Sequence, residues 1–156
     1  MTQADKNLLL KDLCARLPYG VRCSFGVDDA IYEVCGINPT CCGASEIQAT
    51  HVKSSINGDF SLSSCKPYLY PMSSMTEEQK EEYYSLADDV TLKRGQGSYF
   101  GIKIHCIKLG ISDNPHEGVW DDVDLDAIDW LNKNHFDYRG LIPMGLALDA
   151  TGLNIY

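Results

Sequence analysis

The sequence predicts an α+β fold: a small antiparallel, SH3-like or barrel-like sheet with an N-terminal helix, followed by a helical C-terminal part. Three observations predict it. Apolar residues alternate with polar ones in several short runs between positions 19 and 70, the period of half-buried strands. Helical spacing takes over at residues 5 to 17 and again at 126 to 135. Pro67 and Pro71, which disfavour helix at the residues before them, stand where the strand-rich half gives way to the helical one. The expected division is 1–71, helix plus small barrel-like region, and 72–156, a helical or α+β part packed with the first as one domain.

In chain order, Leu10, Leu13, Cys14 and Leu17 trace one face of a first helix over residues 5 to 17, and Pro18 ends it. Tyr19, Val21, Cys23 and Phe25 then alternate as a first strand, and AIYEVCGI from Ala30 returns as a second after a turn at 26 to 29. Asn38 to Gly43 reads as a loop opened by Asn38-Pro39. EIQATHV from Glu46 and DFSLS from Asp59 read as two further strands, with Asn57-Gly58 as their hairpin turn. Closing such a sheet would remove its edges. Tyr68-Leu69-Tyr70, held between prolines, is an extended strap.

Thr76 with Gln79 three residues on is a capping box for a second helix whose inner stripe is Tyr83, Leu86, Ala87 and Val90. Lys93 to Ser98 is a loop, and Phe100 to Cys106 an alternating strand. A last helix carries Ala127, Ile128, Leu131 and His135 on one face with Trp130 on its flank, and stops near Asp137 to Gly140 through a left-handed glycine. LALDATGLNIY adds a short edge strand.

Composition excludes several function classes. With 44 % hydrophobic and 22 % charged residues the chain is a folding one, not a disordered one. Its net charge of −9 repels nucleic-acid backbones, and the longest basic run is Lys93-Arg94, so general nucleic-acid binding is not expected. No apolar run reaches the roughly 18 residues of a membrane span, and MTQADKNLLLKDL lacks a signal-peptide core, so a cytoplasmic location is expected. The seven cysteines show no C-x-x-C spacing; reduced, buried thiols are expected rather than metal ligands.

Catalytic motifs are missing as well: there is no G-x-S-x-G, no phosphate-cradling glycine loop and no H-E-x-x-H. The acidic run Asp121 to Asp126 lacks calcium-loop spacing and reads as a helix start, so no metal and no cofactor is expected. His51, His105 and His116 are isolated, and His105 lies on an apolar strand.

The densest mixture of aromatic and ionisable groups is His135-Phe136-Asp137-Tyr138-Arg139. Two readings stand. In one, Arg139 pairs with an anionic group, Tyr138 stacks on a ring, and His135 with Asp137 form an acid–base pair. In the other, His135 and Phe136 complete a core face and Asp137 pairs with Arg139 to fix the turn. Tyr68 and Tyr70 either grip a ligand beside that helix exit or cover the end of the sheet. The candidate ligand-binding set is therefore Tyr68, Tyr70, His135, Asp137, Tyr138 and Arg139, with no catalytic residue assigned.

With Lys66-Pro67-Tyr68-Leu69, Pro71-Met72-Ser73-Ser74-Met75-Thr76-Glu77-Glu78 and His135-Phe136-Asp137-Tyr138-Arg139-Gly140-Leu141-Ile142 in view, the chain resembles a family of small proteins of gut Bacteroides and of their phages and prophages. Leu8 to Cys23, Ala127 to Leu131 and Gly145 to Leu148 carry the same resemblance. It implies a phage-associated protein working inside a bacterial cell, and it implies no catalytic residue. The expected function is a non-catalytic binding module that sequesters a host protein or a small nucleotide immune signal, with a homo-oligomer left open. The alternatives are a small hydrolase or nucleotide-processing enzyme using His135 and Asp137, and a virion component.

Overall fold

A computed structural model describes residues 1–26, 30–39, 45–86 and 125–156. The chain forms two compact units, residues 1–70 with 141–156, and residues 71–140.

The first unit opens with α1, Gln3–Arg16, started by a capping box in which Thr2 Oγ1 accepts the Asp5 N–H and Asp5 accepts the Thr2 N–H. Hydrogen bonding from the Thr2 backbone, and next from its side chain, holds the exposed Asp5 carboxyl below its ordinary pKa. The helix has the expected periodicity but a different phase. Its buried stripe is Leu9, Asp12, Leu13 and Arg16, whereas Cys14 is exposed and Leu10 and Leu17 are half-buried. Two of the four inner positions are charged, so apolar residues alone point to the wrong face.

A 3-10 turn at Leu17–Tyr19 takes Tyr19 out of the first strand, and Gly20 follows it with φ 68°. Six strands come next: β1 Arg22–Ser24, β2 Tyr32–Pro39, β3 Ser45–His51, β4 Asn57–Ser61, β5 Lys66–Leu69 and β6 Leu148–Asp149. Their order is β4-β3-β2-β1-β5-β6, all antiparallel except β5 with β6. The sheet is open, with β4 and β6 as its outer strands among the described residues. Asn38 and Pro39, expected to begin a loop, still pair with Glu46 and Ser45. A bulge between Val34 and Gly36 puts both Val34 and Ile37 toward the core, although the two are an odd number of residues apart.

The β3–β4 hairpin corrects another expectation. Asn57 and Gly58 lie inside the ladder, opposite Thr50 and Ala49, and the turn is at Val52–Ser55. His51 closes it: its N–H donates to the Ile56 carbonyl, its carbonyl accepts the Ser55 N–H, and its Nδ1 accepts the Ser54 N–H. Ser55 supplies the left-handed backbone at φ 57° that an Asn-Gly turn would otherwise offer.

The core lies between α1 and one sheet face: Leu9 and Leu13 with Val21, Cys23, Phe25, Val34, Ile47, Ala49, Leu62, Cys65 and Leu69. Leu141, Leu146 and Ala147 join it from the returning C-terminal segment, whose β6 adds the short outer strand read from LALDATGLNIY. Of the four described cysteines, Cys23 and Cys65 are buried as expected while Cys14 and Cys35 are exposed. Burial pushes the Cys23 thiol up, and neighbouring Cys65 adds to this, so it stays a neutral packing group.

In the second unit α2, Glu77–Leu86, starts as the sequence implies. The Thr76 N–H donates to Gln79 Oε1, and Thr76 Oγ1 accepts the Gln79 N–H. Tyr83 is fully buried and packs against Trp130 of α3, Leu125–Lys133, with ring centroids 5.8 Å apart. α3 buries Ala127, Trp130 and Leu131, so Trp130 sits on the inner face rather than its flank, and Ile128 is half-buried. The expected strand at 100–106, His105, His116, Ala87, Val90 and Asp121 to Asp124 lie outside the described residues. Among the described residues no helix is long and apolar enough to cross a membrane, and no group of three metal-ligating side chains occurs.

Candidate functional site

The exit of α3 organises the second unit's candidate residues. The Phe136 N–H donates to the Leu131 carbonyl at 3.0 Å and the His135 N–H to the Asn132 carbonyl at 3.2 Å, the paired bonds of a Schellman stop. Its left-handed residue is His135, φ 56°, and not Gly140, which also has positive φ but lies five residues further on. Phe136 completes the motif by stacking on Trp130, centroids 5.7 Å apart and planes 11° from parallel.

A Cβ in left-handed backbone costs about 1–2 kcal/mol, and glycine escapes that cost. His135→Gly and His135→Ala both delete the imidazole, so their difference isolates the backbone. We expect His135→Gly to be the more stable of the two by about 1 kcal/mol in chemical denaturation, reversing the usual Ala-over-Gly order. Equal stabilities would remove the left-handed stop from the account.

His135 and Asp137 are both buried, 5 % and 7 % exposed. Tyr138 is also buried; its hydroxyl donates to Asn132 Oδ1 at 2.9 Å and accepts Arg139 Nη2 at 2.9 Å. The Arg139 guanidinium also lies 4.8 Å from the Tyr138 ring centroid. Hydrogen bonding through the oxygen and cation–π attraction over the ring hold half-buried Arg139 in place. Asn132, which spacing does not mark, anchors the string through its side-chain carbonyl.

Tyr68 and Tyr70 belong to the first unit, while His135, Asp137, Tyr138 and Arg139 belong to the second. Tyr68 lies in β5, next to β1 in the sheet, so its segment is a paired strand as well as an extended link. What reaches it is Tyr156. The Tyr156 hydroxyl accepts the Arg22 N–H at 3.1 Å and donates to the Tyr68 carbonyl at 2.8 Å. Counting on from Cys23↔Pro67, Arg22 and Tyr68 are opposed positions of β1 and β5, so the phenol replaces a ladder bond with a two-bond bridge. Arg22 also donates to the Ile155 carbonyl and lies over the Tyr156 ring, and Tyr70 packs 6.1 Å from that ring.

Burial of the hydroxyl end raises the Tyr156 phenol far above its ordinary pKa of 10.0, against a smaller opposing effect of the Arg22 hydrogen bond. The neutral phenol is the folded form. Its stabilisation is therefore full below about pH 10 and falls as pH rises beyond that, where the unfolded phenol ionises and the folded one does not. Tyr156→Phe should cost about 1–2 kcal/mol at pH 7, for two modest hydrogen bonds. The deficit should narrow above pH 10 in urea titrations run across pH; a constant deficit would contradict the bridge.

A third location escaped the sequence reading. A cleft of about 250 Å³ opens at the hairpin end of the sheet, lined by Tyr32, His51, Ser54, Ile56, Asn57, Gly58 and Phe60. Register explains its make-up. Tyr32 pairs with His51, and Gly58 pairs with Ala49, placing these residues on the face that elsewhere packs under α1. Phe60 stacks on Phe25 at 4.0 Å and meets Tyr32 edge-on at 4.8 Å, while Tyr32 meets His51 edge-on at 5.2 Å. The signal in the sequence was weak, because His51 gains aromatic neighbours only through strand pairing. No protein-family model, curated protein or solved structure matches the chain.

Proposed function

We propose that this protein acts by capture, as a non-catalytic binding protein of phage or prophage origin that holds a host protein or a nucleotide immune signal inside the bacterial cell. The observation that supports this reading is the burial of His135 and Asp137, which leaves little of that pair open to a substrate. His135 is committed through its backbone to the helix stop, Arg139 is engaged with Tyr138, and Tyr138 with Asn132. Acidic balance favours a protein target with basic character over a highly charged anion.

The test is a pair of assays on the purified chain. Host nucleotides are screened for thermal stabilisation, where a ligand present at a hundred times its dissociation constant adds about 2.7 kcal/mol. Host lysate is passed over the immobilised protein, and bound species are identified and titrated back as pure components. A saturable partner recovered unchanged supports capture. Chemical conversion of a bound metabolite, lost in His135→Gly while melting is kept, would overturn it in favour of an enzyme.

A further inference from the structure

The cleft at the hairpin end has a chemistry of its own. We infer that it is a binding site for an uncharged planar ring bearing a hydrogen-bond acceptor on its edge. The inference rests on the capture reading for its purpose, but the site is argued from its own residues.

Ring binding follows from the lining. Tyr32 and Phe60 are half-buried, and their ring neighbours Phe25 and His51 fix how they stand. Such preset aromatic walls stack a flat ligand at little ordering cost. Gly58 is part of the construction: a Cβ there would fall 2.9 Å from Phe60 Cε2 and Cζ, so only glycine lets that ring lie where it does. Ile56, 67 % exposed, supplies an apolar lip. The volume of about 250 Å³ lies below the usual range for whole cofactors, about 300–1,000 Å³, and suits one ring system.

Neutrality follows from what the lining lacks. None of the seven residues is Lys, Arg, Asp or Glu, and the chain as a whole carries −9. A phosphate or carboxylate placed there would lose its hydration without a counter-charge.

The acceptor requirement comes from His51. Its Nδ1 accepts the Ser54 N–H at 3.0 Å, with Ser54 Oγ 2.6 Å from the same atom. A neutral imidazole with Nδ1 so engaged carries its proton on Nε2. The hairpin turn thus fixes the tautomer and leaves Nε2 as the N–H donor of a ring that lines the cleft. A ring that presents an acceptor is favoured over one that presents only C–H.

Two sources share this chemistry, the base of a nucleoside and the phenol of a tyrosyl group. The probes are uridine, N-acetyl-tyrosinamide, N-acetyl-phenylalaninamide and ribose 5-phosphate, titrated into the full chain and followed by calorimetry and by NMR shifts of Tyr32, His51 and Phe60. Uridine or the tyrosyl probe should bind saturably, and the phenylalanyl probe about tenfold more weakly than the tyrosyl one, for want of one hydrogen bond. Whichever of the first two binds tighter names the source.

His51→Asn keeps an oxygen in reach of the Ser54 N–H and removes the Nε2 donor, so affinity should drop about tenfold. His51→Gln, whose amide nitrogen reaches the Nε2 position, should restore most of it. The inference is overturned if no ring probe binds the wild type, if only ribose 5-phosphate binds, or if His51→Asn binds as well as wild type. Failure of the capture reading looks different: ring probes would bind normally and follow His51, yet a metabolite would be turned over. Conversely, a host partner captured by a wild type that binds none of the ring probes would sustain capture and sink the ring site.

Discussion

Asp12→Ala is expected to lower stability by about 3–5 kcal/mol, the range for removing one partner of a buried ion pair. Asp12 and Arg16 are both 0 % exposed on the inner face of α1. Arg16 Nε donates to Asp12 Oδ2 at 2.8 Å and Nη2 to Oδ1 at 3.1 Å, a two-point grip along one helical turn. Such forks are charge-assisted and directional. Without the carboxylate, a guanidinium that cannot deprotonate stays in the core next to Leu9 and Leu13 on the same stripe.

The double change Asp12→Leu with Arg16→Met separates two contributions. It removes both charges and keeps approximate volume, so it should recover most of the loss and give a coupling of at least about 2 kcal/mol in the double-mutant cycle. Urea unfolding of the four proteins measures it. Additive losses would mean that each residue acts on its own, and the pair would no longer explain the phase of α1.

Phe136→Ala is expected to cost a similar amount, about 3–5 kcal/mol, as the loss of a buried aromatic side chain. Phe136 is 2 % exposed and stacks on Trp130, whose ring in turn meets Tyr83 of α2. It is also the residue whose N–H closes the helix stop on Leu131. Phe136→Leu keeps most of the volume and the backbone bond but not the stacking, and should cost less than about 2 kcal/mol. Denaturation followed by far-ultraviolet circular dichroism reads both. A loss for Phe136→Ala no greater than for Phe136→Leu would mean the ring fills no well-packed space.

Much of the site was out of reach before the chain was folded. His135 stands out for its chemistry, and the structure adds a left-handed backbone there that no side-chain pattern announces. His51 looked isolated because its neighbours, Tyr32 and Phe60, come from two other strands. Tyr156 carries no local signal, since its value lies in a hydroxyl placed between Arg22 and Tyr68, each more than eighty residues away in sequence.

What the sequence determined by itself was the kind and order of the elements: α+β content, the N-terminal helix, the alternation of β1 to β4, the Thr76 capping box and the short C-terminal strand. These follow from local forces, namely backbone preference, capping and apolar period, which neighbouring residues settle among themselves. Tertiary structure alone decided which face of α1 turned inward, where the hairpin turned, and how the segment 141–156 returned to the first unit. The Asp12–Arg16 pair and the Tyr156 bridge give the reason: groups opposite in charge or far apart in sequence offset a cost that either would carry alone, and no pattern of single residues records it.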